Sequence, residues 1–213
     1  MKTEELIGLL AAGDTPVSAH HVGERFLTSL ACSLPVAALI MVSVYGVRSD
    51  LVQAMEGLMF WMKLAFAGAL AIFASLATQR LGRPGMHVGR LWLGMTAPLI
   101  LLWWIGVVAI WGAEPAERVG LILGTTWKTC AFNIALISLP LFAAMLWFMK
   151  GLAPIQMGLA GASAGLLSGA LATFIYAFHC PESAAPFVGV WYVLGITIPT
   201  LSGAVLGPRV LRW

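Results

Sequence analysis

The chain has 213 residues, 60% of them hydrophobic and only 10% charged, with a mean hydropathy of +0.92. Soluble domains carry about a quarter charged residues, so this composition excludes a water-soluble domain and makes the bilayer the solvent. The net charge of +3 comes without a cluster of Arg, Lys and aromatic residues of the kind that forms a nucleic-acid face, so direct nucleic-acid binding is not expected.

A helix needs about 20 apolar residues to cross a hydrocarbon core of about 30 Å. Six stretches meet that length: 26–46, 57–78, 91–111, 130–149, 155–178 and 187–206. They predict an all-α, polytopic membrane protein, a bundle of six transmembrane helices over 26–206, with an N-terminal segment (1–25) and a C-terminal tail (207–213). The first 25 residues carry acids and lack the basic start and apolar run of a cleavable signal, so the first span reads as an anchor. Lys2, Arg25, Arg80, Arg83, Arg90, Lys150, Arg209 and Arg212 fall on the side of the termini, against Arg48, Arg118 and Lys128 on the other. That imbalance, eight against three, predicts cytoplasmic termini.

In the tail, Thr3 is placed to cap a short helix with Glu4 and Glu5 in its first turn. Leu6, Leu9 and Leu10 share one face, Ile7 lies beside them, Gly13 is a stop, and Thr15-Pro16 is a second start. The pattern suits a helix lying on the inner leaflet or one docking into a soluble partner's groove. The first span holds Cys32, read as a small hydrophobe, and Pro35. In the second, Lys63 lies about six residues in, roughly 9 Å deep. Either it snorkels outward beside the interfacial Trp61, or it faces the bundle and pairs with Glu56 or Glu182. The basic loop 79–90 suits anionic lipid.

The third span has Pro98 and leads to the longest outer loop, 112–129, whose apolar run 119–123 suits the outer interface. Cys130 opens the fourth span, which also holds Asn133, Ser138 and Pro140. In the fifth, Gly161, Gly165 and Gly169 recur every four residues, a pattern for close helix packing within the bundle. That span ends on a polar island, His179-Cys180-Pro181-Glu182. The sixth carries Trp191-Tyr192 in the outer interface and runs out at Gly207-Pro208-Arg209.

No P-loop, nucleophile elbow or His-Glu-x-x-His is present, and the apolar core has no acid to serve a proton or ion path. Polar groups gather at the outer end: Lys63, Lys128, Cys130, Asn133, His179, Cys180 and Glu182. Two cysteines at one depth can join in an oxidising compartment if their Cα atoms come within about 7 Å. Spacing alone leaves a static bridge, two unpaired thiols and a reactive pair all open. A nearby lysine or imidazolium favours thiolate, and Cys130, Cys180 and His179, with Glu182 near, could ligate a soft metal such as cadmium or zinc. A small transporter would need a polar path, and a membrane thiol oxidoreductase a thiol relay. Neither is visible here.

Several pieces together carry a resemblance: Met1-Lys2-Thr3-Glu4-Glu5-Leu6-Ile7, Phe60-Trp61-Met62-Lys63, Gly124-Thr125-Thr126-Trp127-Lys128-Thr129-Cys130, Ile137-Ser138-Leu139-Pro140, His179-Cys180-Pro181-Glu182 and Trp191-Tyr192. With them the chain resembles the NrsF-type integral-membrane anti-sigma factors, with Thr126 where that pattern carries serine. The resemblance implies a non-enzymatic inhibitor that holds an extracytoplasmic-function (ECF) sigma factor at the bacterial inner membrane and needs no cofactor. It implies that Cys130 and Cys180 sense oxidants of the chromate type or heavy metals on the periplasmic side. His179, Glu182, Lys63, Trp61, Trp127 and Lys128 would support them, while Leu6, Ile7, Leu9 and Leu10 would bind sigma.

Overall fold

The computed structural model describes Glu5 and residues 19–212. Leu6, Ile7, Leu9, Leu10, Gly13 and Thr15-Pro16 therefore lie outside the described residues. Among those described there is no strand. The helices are α1 (Ala19–Ile40), α2 (Leu51–Glu56), α3 (Leu58–Leu81), α4 (Leu91–Gly112), α5 (Arg118–Leu123), α6 (Trp127–Lys150), α7 (Met157–Tyr176), α8 (Ala185–Phe187) and α9 (Val193–Val210). Among the described residues six segments are long and apolar enough to cross a membrane: Val22–Tyr45, Leu58–Leu81, Leu91–Gly112, Arg118–Lys150, Met157–Tyr176 and Ala185–Val210.

Helix α7 is the centre of the bundle, packed on α9, α3 and α6, while α1 packs on α6 and α4 on α3. Its glycine row explains why. A Cβ at Gly161 would strike the Gly203 carbonyl, and one at Gly165 the Pro199 carbonyl. At Gly169 it would sit 3.0 Å from Ile196 Cα. The row seats α7 on α9 backbone to backbone, as small residues permit in lipid. The expected intramolecular use of the row is thus the one found.

The differences from the expected spans lie at the ends. The first span starts earlier, by Ala19, and finishes in a wide π-helical turn, Met41–Tyr45. Gly46 closes it at φ +76°, with its N–H shared by the Met41 and Val42 carbonyls. The fourth helix starts at Trp127, so Cys130 sits in its first turn. The apolar run 119–123 forms most of α5. The fifth ends at Tyr176, leaving His179 and Cys180 in the connection that follows. The last begins at Ala185, passes through a second π-helical turn, Val188–Tyr192, and continues to Val210. Pro208 lies inside it, so 207–210 forms its final turn.

Candidate functional site

The connection after α7 has no helix of its own, yet its course is fixed. The N–H groups of His179 and Cys180 both donate to the Tyr176 carbonyl, at 3.0 Å each. Pro181, which has no N–H to give, ends this turn. It delivers the Cys180 side chain inward, fully buried, against the equally buried Cys130 of α6. Both are free thiols, and Cys130 is the neighbour that acts most strongly on the Cys180 thiol. The Thr126 hydroxyl lies 3.8 Å from Cys180 Sγ, so the position where serine was expected faces the sulfur. The buried Tyr192 hydroxyl, with no nitrogen or oxygen partner, lies beside Cys180 as well.

Lys63 is only 2% exposed, which overturns the snorkelling reading. The alternative is corrected too, because its partners are not carboxylates. Lys63 Nζ donates to the main-chain oxygens of Cys180 at 3.1 Å and Glu182 at 3.0 Å. The Tyr192 and Phe60 rings face it at 5.6 and 5.9 Å. A lysine at membrane depth costs about 3 kcal/mol on insertion scales, and hydrogen bonds to a charged group contribute about 1.5–3 kcal/mol each. Two such bonds offset the burial. They also satisfy carbonyls that, beyond the end of α7, have no helical donor.

Arg48 does the same from the loop after the first span. Its N–H donates to the Phe178 carbonyl at 3.1 Å and its guanidinium to the Cys180 carbonyl at 3.2 Å. The guanidinium also grips Asp50, at 2.8 and 2.6 Å, and these bonds hold the Asp50 carboxyl down to about 2. The Cys180 thiol is held below its ordinary value, first by the Cys130 hydrogen bond, then by the Lys63 ammonium, against the opposing effect of burial.

The other expected residues stand around this centre. His179 Nδ1 donates to the Gly46 carbonyl at 2.9 Å, with its ring between Tyr45 and Tyr176. That engagement turns it to the end of the first span, so the ligand set of Cys130, Cys180 and His179 is not assembled. Among the described residues no three His, Cys, Asp or Glu side chains converge as a metal site. Glu182 Oε1 accepts from the Thr125 N–H and hydroxyl, both at 2.7 Å. Gly124, at φ +56°, brings the loop so close that a Cβ would lie 2.8 Å from the Glu182 carboxyl carbon. Trp61 is 52% exposed and donates to the Met55 carbonyl. Trp127 packs against Trp191 with the rings tilted at 44°, and the exposed Lys128 lies over the Trp127 ring. The structure therefore brings Cys130, Cys180, Lys63 and the Glu182 main chain together, and leaves Trp61, Trp127, Lys128 and the His179 imidazole at the rim.

Sequence reasoning missed Arg48, Tyr176 and Tyr192. Tyr176 accepts from Asn133 Nδ2 at 3.2 Å, and Asn133 inside an apolar span was the signal for a buried partner. Tyr192 was expected at the interface. The π-helical turn changes which side chains face inward, and no periodicity announces it.

Comparison with known proteins places these observations in a lineage. A family described as "NrsF: Negative regulator of sigma F" matches residues 10–213. The chain is 43% identical over its full length to the full length of a probable anti-sigma-F factor NrsF from Azospira oryzae. It is 36% identical, again over the whole of both chains, to the anti-sigma-F factor NrsF of Caulobacter vibrioides. No solved structure matches.

Proposed function

The chain belongs to the NrsF family, negative regulators of sigma F, and from that premise we propose that it sequesters an ECF sigma factor at the bacterial inner membrane. Release follows when the Cys130–Cys180 pair, on the periplasmic side, meets an oxidant or a thiol-seeking metal. The protein acts as a regulator and not as a catalyst. Its termini and the 79–90 loop face the cytoplasm with the basic residues that favour that side, and the N-terminal leucines reach sigma.

The observation that carries the sensing reading is the meeting of Cys130 and Cys180. Two thiols from different helices, buried and in contact, are a hydrophobic core detail in most proteins. Here a buried lysine holds the main chain of one of them, and nearby positive charge favours the thiolate, the reactive and metal-binding form. Among the described residues no third His, Cys, Asp or Glu side chain converges on the pair, so a soft metal is offered two sulfurs. Thiol-preferring ions such as cadmium suit that donor set better than ions that favour oxygen.

The test uses native membranes carrying the full chain and its co-purified sigma factor. Cadmium or dichromate should release sigma from the unsubstituted protein. Cys130→Ser/Cys180→Ser should retain sigma with or without stress. A double variant that releases sigma as readily as the parent refutes the sensing role.

A further inference from the structure

Lys63 is a buried amine whose hydrogen bonds do more than favour the Cys180 thiolate. It sits near the outer end of α3, and both its hydrogen bonds go to the main chain of the thiol-bearing connection, at Cys180 and Glu182. Among the described residues no carboxylate lies within ion-pair distance of it. Its ammonium is satisfied by that connection alone, helped by two ring faces. The far end of α3, at Leu81, leads into the turn that carries Arg83 and Arg90.

Resting on the sensing function above, we propose that Lys63 is the residue that couples the thiol pair to the bundle: it ties the Cys180–Glu182 segment to α3, so that disulfide formation moves α3 and the loop at its opposite end. The chemistry balances with a hydroperoxide. The two thiols give up two electrons and two protons, an S–S bond forms, the O–O bond breaks, and an alcohol and water leave. A disulfide holds its sulfurs at about 2.05 Å, closer than any non-bonded contact, so one cysteine must shift. Cys130 is fixed in regular helix, its N–H bonded to Thr126, whereas Cys180 lies in irregular chain. Cys180 therefore moves, and the carbonyl that Lys63 holds moves with it. A buried cation cannot be left without its acceptors, so α3 follows.

The experiment compares the unsubstituted chain with Lys63→Met and Lys63→Arg in native membranes with sigma bound, using tert-butyl hydroperoxide. The Cys130–Cys180 disulfide is followed by peptide mass spectrometry and sigma by its partition to the soluble fraction. Each protein is oxidised until the same fraction carries the disulfide, which Lys63→Met should reach more slowly for want of the charge that favours the thiolate. The unsubstituted and Lys63→Arg proteins should then release sigma, while Lys63→Met releases at least tenfold less. Release from Lys63→Met in step with its disulfide overturns the coupling, and so does a Lys63→Met protein that never reaches the parent's extent of disulfide, since Lys63 would then act through thiol reactivity alone. Should Lys63→Met not fold, hydrogen exchange in the unsubstituted protein decides. Exchange across 79–90 should rise severalfold on oxidation, and unchanged exchange overturns the proposal. A Cys130→Ser/Cys180→Ser protein that still responds sinks the sensing function itself, and the coupling with it.

Discussion

Replacing Gly165 with alanine tests the contact on which the bundle's centre rests. The new methyl would run into the Pro199 carbonyl and sit 2.8 Å from Thr200 Cα. These are backbone atoms, so no rotamer relieves the overlap and α7 must part from α9. Overpacking costs about 1–3 kcal/mol, and backbone overlap belongs at the upper end, about 3. Alanine returns about 1 kcal/mol over glycine inside a helix, which leaves a net loss of about 2 kcal/mol. Gly68→Ala is the control, because its methyl would meet only the Phe174 ring at 3.8 Å, an ordinary contact. There only the helix gain of about 1 kcal/mol remains. For a chain of this size each kcal/mol shifts the midpoint by about 2–4 °C. Thermal unfolding in detergent, followed by helical circular dichroism, should place Gly165→Ala about 4–8 °C below the parent and Gly68→Ala about 2–4 °C above it. A Gly165→Ala midpoint level with that of Gly68→Ala would refute the backbone-to-backbone seam.

Two further outcomes are expected. Because the Cys130 hydrogen bond and Lys63 hold the Cys180 thiol down, thiolate absorbance lost in Cys180→Ser should titrate with a midpoint below the roughly 8.5 of a free thiol. The stability tied to that thiolate is fully present above the unfolded value and is lost as pH falls through the folded one, so the parent's advantage over Cys180→Ser should shrink on acidification; a midpoint at or above 8.5 contradicts this. Changing Leu6, Leu9 and Leu10 together to aspartate should leave sigma soluble without stress in a pull-down, and retained sigma would move the binding surface to the loops.

The number of spans was legible because about 20 consecutive apolar residues have no stable place outside a bilayer, and the glycine row announced a close helix contact through its period. Its partner helix was not legible, since Gly203 and Pro199 become a matching groove only once α9 lies against α7. The helix ends around the cysteine pair were read least well. The Met41–Tyr45 and Val188–Tyr192 turns are local changes of helical winding fixed by tertiary contacts: Trp103 Nε1, for one, donates to the Gly189 carbonyl inside the second turn at 2.9 Å. Lys63 could be narrowed to two fates and no further, because its acceptors are carbonyls, which every residue carries and no pattern of side chains marks. Glu182, the acid that seemed available to it, is occupied by Thr125.

The segment 177–184 gains its importance from having no hydrogen-bonded ladder of its own beyond the turn at Tyr176. Its shape is set by tethers from outside: His179 to Gly46 at the end of the first span, Phe178 and Cys180 to Arg48, Cys180 and Glu182 to Lys63 of α3, and the Glu182 carboxylate to Thr125 ahead of α6. Several of these bonds involve a charged partner, each contributing about 1.5–3 kcal/mol, so together they rival the whole margin of about 5–15 kcal/mol by which a domain is stable. A shift of Cys180 by an ångström or two strains them at once. The segment cannot yield by stretching one bond while the rest hold. The lower-energy response is for the helices that carry the tethers to move with it, and closely packed helices move between discrete arrangements more readily than they deform. Under the proposed sensing function, such a hub would turn one covalent bond between Cys130 and Cys180 into a displacement of whole spans, a response that a thiol pair held between two regular helices is less suited to give.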